Sequence, residues 1–503
     1  MSGAAAQGLA DALRRVVGEE HVLLDDAERA FHSHDLSVAQ LEVAAAVVRP
    51  GSAAEVAGVV RAAREAGAAV VPRGGGMSYT HGYTPARAGS VLLDLRRLTG
   101  VEVHAEDSYA VAGAGATWEQ VYLACSEHGV RAPYWGPMSG RYATVGGTLS
   151  QGSLFWGSGR YGYSGQQVLG LEVVLGDGRL VRTGSWAHRA GTPFTRYYGP
   201  DLGGLFLNDT GAMGIKTAVA IKLVPFPTAS AAASFAYGQD AGAFTRAFGA
   251  VARLGVASEL FGFDPDYNDV FAGLGFGFLE GAGWTLNVVV EGIDDAMVEA
   301  QLASAVAAAE AAGGRGLDAS LPLVIRADPY GSPELGFASP LGELMLPIHA
   351  IVPLSKAEGL IALCDRWAAE HRAQIEQHGM RLVYLACASG SDFLYEPVFY
   401  WHDALDEPRR RRFAQIQRDD LLARWGANPP RPEAREAALR LRRDLADTLT
   451  AFGSTHLQIG KFYDFEGSLE PATFAVLEQL KAALDPARIV NPGSLGLGLT
   501  EGN

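Results

Sequence analysis

Cysteine is scarce in this chain: Cys125, Cys364 and Cys387 are the only three in 503 residues, and they stand far apart. With no Cys-x-x-Cys pair, neither a disulfide framework nor a thiolate zinc site is indicated, and a reducing compartment suits the protein. Positive charge is also in deficit. The balance of 41 Lys and Arg against 56 Asp and Glu gives a net charge of −15. That leaves no basic face to neutralise phosphates and argues against a nucleic-acid partner. No apolar run reaches the roughly 18 residues a membrane span needs. Met1 to Ala10 lack the basic start and apolar core of a signal peptide, so a cytoplasmic protein is expected.

What is present is apolar bulk and glycine. With 48% hydrophobic residues the chain can bury two or three cores. Its 62 glycines concentrate in the first 220 residues and predict a loop-rich, closely packed first domain. The centre of that region reads Val70-Val71-Pro72-Arg73-Gly74-Gly75-Gly76-Met77-Ser78-Tyr79. No Gly-Lys-Ser/Thr follows the triple glycine, and no Gly-x-Gly-x-x-Gly there opens a helix. Taken alone it is a tight turn. Its surroundings say more. Ala44 to Arg49 reads as a strand; Ser52 with Glu55 forms a capping box for a helix over 53–66, and Ala68 to Val71 is the next strand. Strand, helix and strand predict parallel pairing, and a loop leaving the C-terminal end of such a strand is where α/β sheets bind ligands.

Further on, Ser90 to Leu95 reads as a buried strand, and 101–103 with 109–111 as a hairpin. Trp118 to His128 reads as a helix. A second glycine tract follows, Thr144-Val145-Gly146-Gly147 to Gly152, and then a hairpin over 168–183 turning at Gly176-Asp177-Gly178. Beyond Pro227 the pattern becomes α+β, with strands at 230–237 and 284–291 and helices at 297–312, 356–378 and 409–452, the last broken by Pro429-Pro430-Arg431-Pro432. Arg409 to Arg412 reads as a solvated helix face. The tracts 382–386, 390–395 and 398–402 read as two antiparallel strands, with Phe399 and Trp401 on the face opposite Tyr400 and His402.

The order of motifs resembles the vanillyl-alcohol oxidase/p-cresol methylhydroxylase superfamily of FAD-linked oxidoreductases. Five pieces carry it: Val48-Arg49-Pro50 with its helix, the Pro-Arg-Gly-Gly-Gly loop, the Thr144–Gly147 tract with Gly152, Asp201-Leu202 with Met213-Gly214-Ile215, and Ile489-Val490-Asn491-Pro492-Gly493. The resemblance implies an α+β chain: a two-subdomain FAD-binding domain over 1–227, a cap with an antiparallel sheet over 228–455, and a segment over 456–503 that returns to the FAD domain. It implies FAD as cofactor, held by Pro72, Arg73, Gly74, Gly75, Gly76, Met77, Ser78, Gly82, Thr144, Gly146, Gly147, Gly152, Ser153, Gly214, Ile215 and Asn491. Met77 stands where one branch of the superfamily carries a flavin-linking histidine, so non-covalent FAD is expected.

The same resemblance implies an FAD-dependent oxidase or dehydrogenase. It would take a hydride from a CH–OH or benzylic carbon of a small substrate, with O₂ or another acceptor as reoxidant, and a homodimer is compatible with it. Branches using a metal carry two histidines and a Glu-His pair. Here Tyr395 and Thr455-His456 stand in those places, so no metal is expected. That absence and the aromatic cap favour an apolar or aromatic alcohol. A D-2-hydroxy acid, or a non-redox transferase reaction like that of alkylglycerone-phosphate synthase, is the alternative. His456 is the leading candidate for the proton acceptor, although a histidine bonding a backbone carbonyl is equally compatible. Tyr395, Tyr400, Arg326 and Lys461 are the further catalytic candidates, Arg326 as a bidentate anchor for a carboxylate. His349, among apolar neighbours, reads as a core histidine.

Overall fold

The capping box at Ser52 is half formed. Ser52 Oγ accepts from the Glu55 amide at 3.2 Å, while Glu55 Oε2 turns back to the Gly51 amide at 2.7 Å. The helix it starts spans Ala53–Glu65 and buries Val56, Val59, Val60 and Ala63 completely. Each such valine contributes about 1.5–3 kcal/mol. That face packs on a four-stranded sheet ordered Val22–Leu23, Ala46–Val48, Val91–Asp94, Val70–Arg73. The strands on either side of the helix are parallel, as expected, but they are not neighbours: Val91–Asp94 lies between them and pairs with both. The computed structural model describes residues 3–39, 42–331, 339 and 341–499.

A second, five-stranded antiparallel sheet contains both expected hairpins, Val101–His104 with Tyr109–Gly113 and Val168–Val174 with Leu180–Arg182, joined through Ile215–Lys222. Val174 and Ile215 from this sheet share a core with the first. The Ile489-Val490-Asn491 motif closes the arrangement. The Val70 amide donates to the Ile489 carbonyl at 2.7 Å and the Asn491 amide to the Val70 carbonyl at 2.8 Å, so the C-terminal segment lies along the strand that leads into the glycine loop.

The third sheet is antiparallel throughout. Its path runs Arg315–Leu317, Ala229–Ala236, Thr285–Gly292, Ala257–Phe263, Met380–Ser389, Asp392–Trp401, Leu344–Pro347, with Ala350–Pro353 also on Asp392–Trp401. Helices Ala241–Leu254, Ala357–Gln377 and Pro432–Ala451 bury one face of it in the largest core. The stretch expected as two helices over 409–452 forms three: Glu407–Gln415, Asp419–Trp425 and Pro432–Ala451.

The arginine run of the first of these is no solvated face. Arg409 and Arg412 are buried; Arg409 donates to the Leu36 carbonyl at 2.7 Å and Arg412 to the Gly75 carbonyl at 2.7 Å, and Arg411 pairs with Glu28. Arg409 also pairs with Asp406 three positions away, but Leu36, Gly75 and Glu28 lie more than 330 positions away in the chain. A local charge pattern therefore carries no sign of them. Among the described residues, no helix is long and apolar enough to cross a membrane.

Candidate active site

A narrow groove runs along the glycine loop, and its walls are mostly backbone. It is lined by Pro72 to Ser78, Gly82 and Tyr83, by segments of 143–153, and by Thr210, Gly211, Gly214 and Lys216. The loop glycines are set by close approach. A Cβ on Gly74 would lie 2.2 Å from Thr144 Oγ1, and one on Gly75 only 1.8 Å from the Tyr142 carbonyl oxygen. Thr144 in turn caps the helix Val145–Gln151 by accepting from the Gly147 amide. Among the described residues, the amides of Gly74, Gly75, Gly76 and Met77 donate to no protein acceptor. Gly75 and Gly76 are buried and Gly74 and Met77 partly so; enclosed amides are seldom left unpaired, so four in succession along a groove make a receptor for an anionic or carbonyl-rich group.

The groove opens into a cavity of about 490 Å³ between the glycine loop and the cap sheet. Met77, Pro137, Ser139, Gly152, Ser153 and Gln458 line both. Strand alternation builds the cap wall. Leu394, Glu396, Val398 and Tyr400 face the cavity, while Phe393, Tyr395, Phe399 and Trp401 enter the large core. The rest of the wall is largely Phe155, Phe261, Phe263, Tyr267, Phe271, Leu274, Met345 and Leu457. Among the described residues, no lysine or arginine lines it.

Four polar side chains meet at one side. Gln458 Nε2 donates to Tyr79 Oη at 3.1 Å, and Tyr79 Oη hydrogen-bonds His349 Nε2 at 2.9 Å. The phenol oxygen thus joins the amide to the imidazole in one hydrogen-bonded chain. Glu396 Oε1 lies 3.7 Å from the same Nε2. Burial, reinforced by the Arg442 charge, lowers the His349 pKa to about 3, so the ring is neutral. Enclosure alone raises Glu396 to about 7. A carboxyl that titrates near neutrality, beside a neutral histidine and a phenol, can accept a proton from a bound molecule.

The structure separates the catalytic candidates read from the sequence. Tyr400 lines the cavity, its Oη 3.3 Å from Tyr267 Oη. Tyr395 is fully buried and stacks on Tyr384, ring centroids 4.9 Å apart. Arg326 is held by Glu259 at 3.3 Å and Glu291 at 2.5 Å, away from the cavity. His456 stands behind His349: its Nδ1 bonds the His349 carbonyl, its Nε2 lies 2.8 Å from Thr450 Oγ1, and its ring stacks on Tyr463. Lys461, its pKa lowered to about 7 by burial, ties together the carbonyls of His81 and Gly82 and Asn491 Oδ1.

Of the expected cofactor residues, Ile215 and Asn491 do not line the groove. Ile215 sits in the core between sheets, and Asn491 Nδ2 donates to the carbonyls of Gly82 and Thr210. Sequence reasoning passed over Tyr79, Glu396 and Gln458 as site residues and read His349 as core. One signal was available: a glutamate on the apolar face of a strand. Among the described residues, no group of three or more His, Cys, Asp or Glu could hold a metal ion.

Three sheets surround a glycine-walled groove that opens into a largely apolar cavity. Residues 44–184 match the FAD binding domain family, and residues 464–495 match the C-terminal domain of FAD linked oxidases. Glycolate oxidase subunit GlcD of Bacillus subtilis is 30% identical over 215 residues, 43% of this chain and 44% of that protein. The D-lactate dehydrogenase of Archaeoglobus fulgidus is 32% identical over 180 residues, 36% and 38% of the two chains. The chain thus spans less than half the length of these curated relatives. Among solved structures, p-cresol methylhydroxylase with substrate bound shares the fold with a TM-score of 0.79 at 18% identity, covering 99% of this chain and 98% of that one. The chain thus carries an FAD binding domain and a C-terminal segment of the FAD linked oxidases in the fold of p-cresol methylhydroxylase, and FAD is the cofactor these matches support.

Proposed function

We propose that the protein oxidises a small apolar or aromatic alcohol, or a benzylic carbon, taking a hydride from carbon while a side chain takes the proton from oxygen. One observation carries the choice of substrate. Among the described residues, the cavity wall is aromatic and aliphatic, with Asp328 and Glu396 as acidic members and no lysine or arginine. A 2-hydroxy acid or a phosphate-bearing substrate would meet a carboxylate and find no cation, at a steep desolvation cost. The cation that could have served, Arg326, already neutralises two glutamates.

When bound, FAD supplies the two-electron acceptor that no side chain offers. The chain provides the rest. The amides of Gly74 to Met77 and the close-packed glycines hold the cofactor. Phe263, Tyr267, Phe271 and Tyr400 exclude water and orient an apolar substrate. Glu396, ionised above about pH 7, accepts the substrate's hydroxyl proton. His349 stays neutral and keeps its hydrogen bond with Tyr79, which holds the phenol and Gln458 in one orientation. His456 positions His349 through its main-chain carbonyl.

Anaerobic addition of substrate tests this on the yellow holoprotein. A benzylic alcohol should bleach the flavin absorbance near roughly 450 nm, and D-lactate or glycolate should leave it unchanged. Bleaching by the hydroxy acids alone would overturn the substrate class.

A further inference from the structure

The groove ends, at the glycine loop, beside an excess of buried positive charge. Arg73 and Arg412 are 2% and 6% exposed. Arg73 Nε has no partner, and its Nη1 reaches only the Gly74 carbonyl, at 3.3 Å. Arg412 comes from the cap helix Glu407–Gln415 and donates through Nη2 to the Gly75 carbonyl at 2.7 Å. Among the described residues, neither guanidinium has a carboxylate within ion-pair distance. Asp94, whose charge both feel, is occupied by Arg96 at 2.8 and 2.5 Å and has His32 at 3.4 Å. Burial first, then the neighbouring arginines, lowers the pKa of Arg412 to about 9. A pair of buried cations without a counter-ion is unfavourable, and a bound anion removes the penalty.

The loop geometry agrees. In a trans peptide the carbonyl and the following N–H point in opposite directions. By holding the carbonyls of Gly74 and Gly75, the two arginines turn the amides of Gly75 and Gly76 to the other side of the loop, and neither amide has a protein acceptor. The pyrophosphate is the only part of FAD that is ionised near neutral pH, and it is the group such a site would take.

We propose that Arg412, carried by the cap, holds with Arg73 the carbonyl side of the glycine loop so that the amides of Gly75 and Gly76 face the FAD pyrophosphate, which couples cofactor occupancy to docking of helix Glu407–Gln415 on the loop. This deepens the FAD assignment and rests on it. The cap would then not only shape the substrate cavity but also hold the cofactor in place, and flavin loss would loosen the cap.

The test compares apoprotein of the wild type, Arg412→Gln and Arg412→Lys, titrated with FAD and with riboflavin, which lacks the pyrophosphate. FAD affinity should fall roughly tenfold or more in Arg412→Gln, with Arg412→Lys between the two and riboflavin affinity changed less than about twofold. The rise in Tm that FAD produces should shrink in Arg412→Gln, because ligand stabilisation follows affinity. Equal losses for FAD and riboflavin, or equal drops in Tm with and without FAD, would mark Arg412 as a structural brace and overturn the proposal. Unchanged FAD affinity would overturn it as well. Wild-type apoprotein that binds no FAD would instead overturn the assignment of the groove.

Discussion

The groove and the cavity are adjacent, share six lining residues, and are built on opposite principles. The groove is a backbone site. Its specificity lies in amides left unpaired and in glycines pressed against a second loop, so any side chain would block it. The cavity is a side-chain site, where strand alternation decides which residues face inward and one carboxylate stands among rings. The first arrangement suits a ligand shared by a superfamily. The second can change its substrate by changing a few side chains while the sheet is kept.

That contrast can be broken in order of expected effect. Gly75→Ala places a Cβ 1.8 Å from a backbone oxygen. Overpacking of that kind should destabilise by about 3 kcal/mol or more, and the protein should purify without flavin absorbance. Glu396→Gln should keep its flavin but lower kcat about 100-fold or more and remove the rise of kcat/KM with pH through about 7. The same substitution carries a stability test of opposite sign. The folded-state pKa of Glu396 is raised, so the native state holds its proton up to about pH 7 while the unfolded chain has released it. Stability of the wild type should therefore fall between the usual carboxylate range and pH 7, by about 3 kcal/mol. The Gln variant should lack that fall and melt higher than wild type at pH 8.

Phe271→Ala, which enlarges the cavity, should shift kcat/KM toward bulkier aromatic alcohols by about 10- to 100-fold, read from a series of para-substituted substrates. The smallest effect is expected from His456→Ala, since His456 touches His349 only through a carbonyl. Its kcat should fall less than about tenfold, and a loss as large as that of Glu396→Gln would return the catalytic role to His456.

The groove was readable because its signals are local. The run Arg73 to Ser78, the capped tract at Thr144 and the strand-helix-strand frame all report backbone conformation, which glycine and proline control within a few residues. Every expected loop residue from Pro72 to Ser78 lines the groove. The cavity was only half readable. Alternation from Leu394 to Tyr400 separates Tyr395 from Tyr400 and puts Glu396 with the latter. It cannot say which face meets the core, because that depends on the helices packed behind. His349 likewise sits among apolar residues in sequence, and only its approach to Tyr79, 270 positions away, brings it to the site.

By itself, the sequence determined the glycine loop, its strand-helix-strand frame and the net charge of −15, since composition and short-range backbone preferences are written residue by residue. The tertiary structure decided the rest: which glutamate stands in the cavity, why Arg326 is already spent on Glu259 and Glu291, and how a run of arginines in the cap comes to rest behind Gly75. These are long-range pairings of charge and hydrogen bonds. Their partners lie tens to hundreds of residues apart, where no local pattern records them.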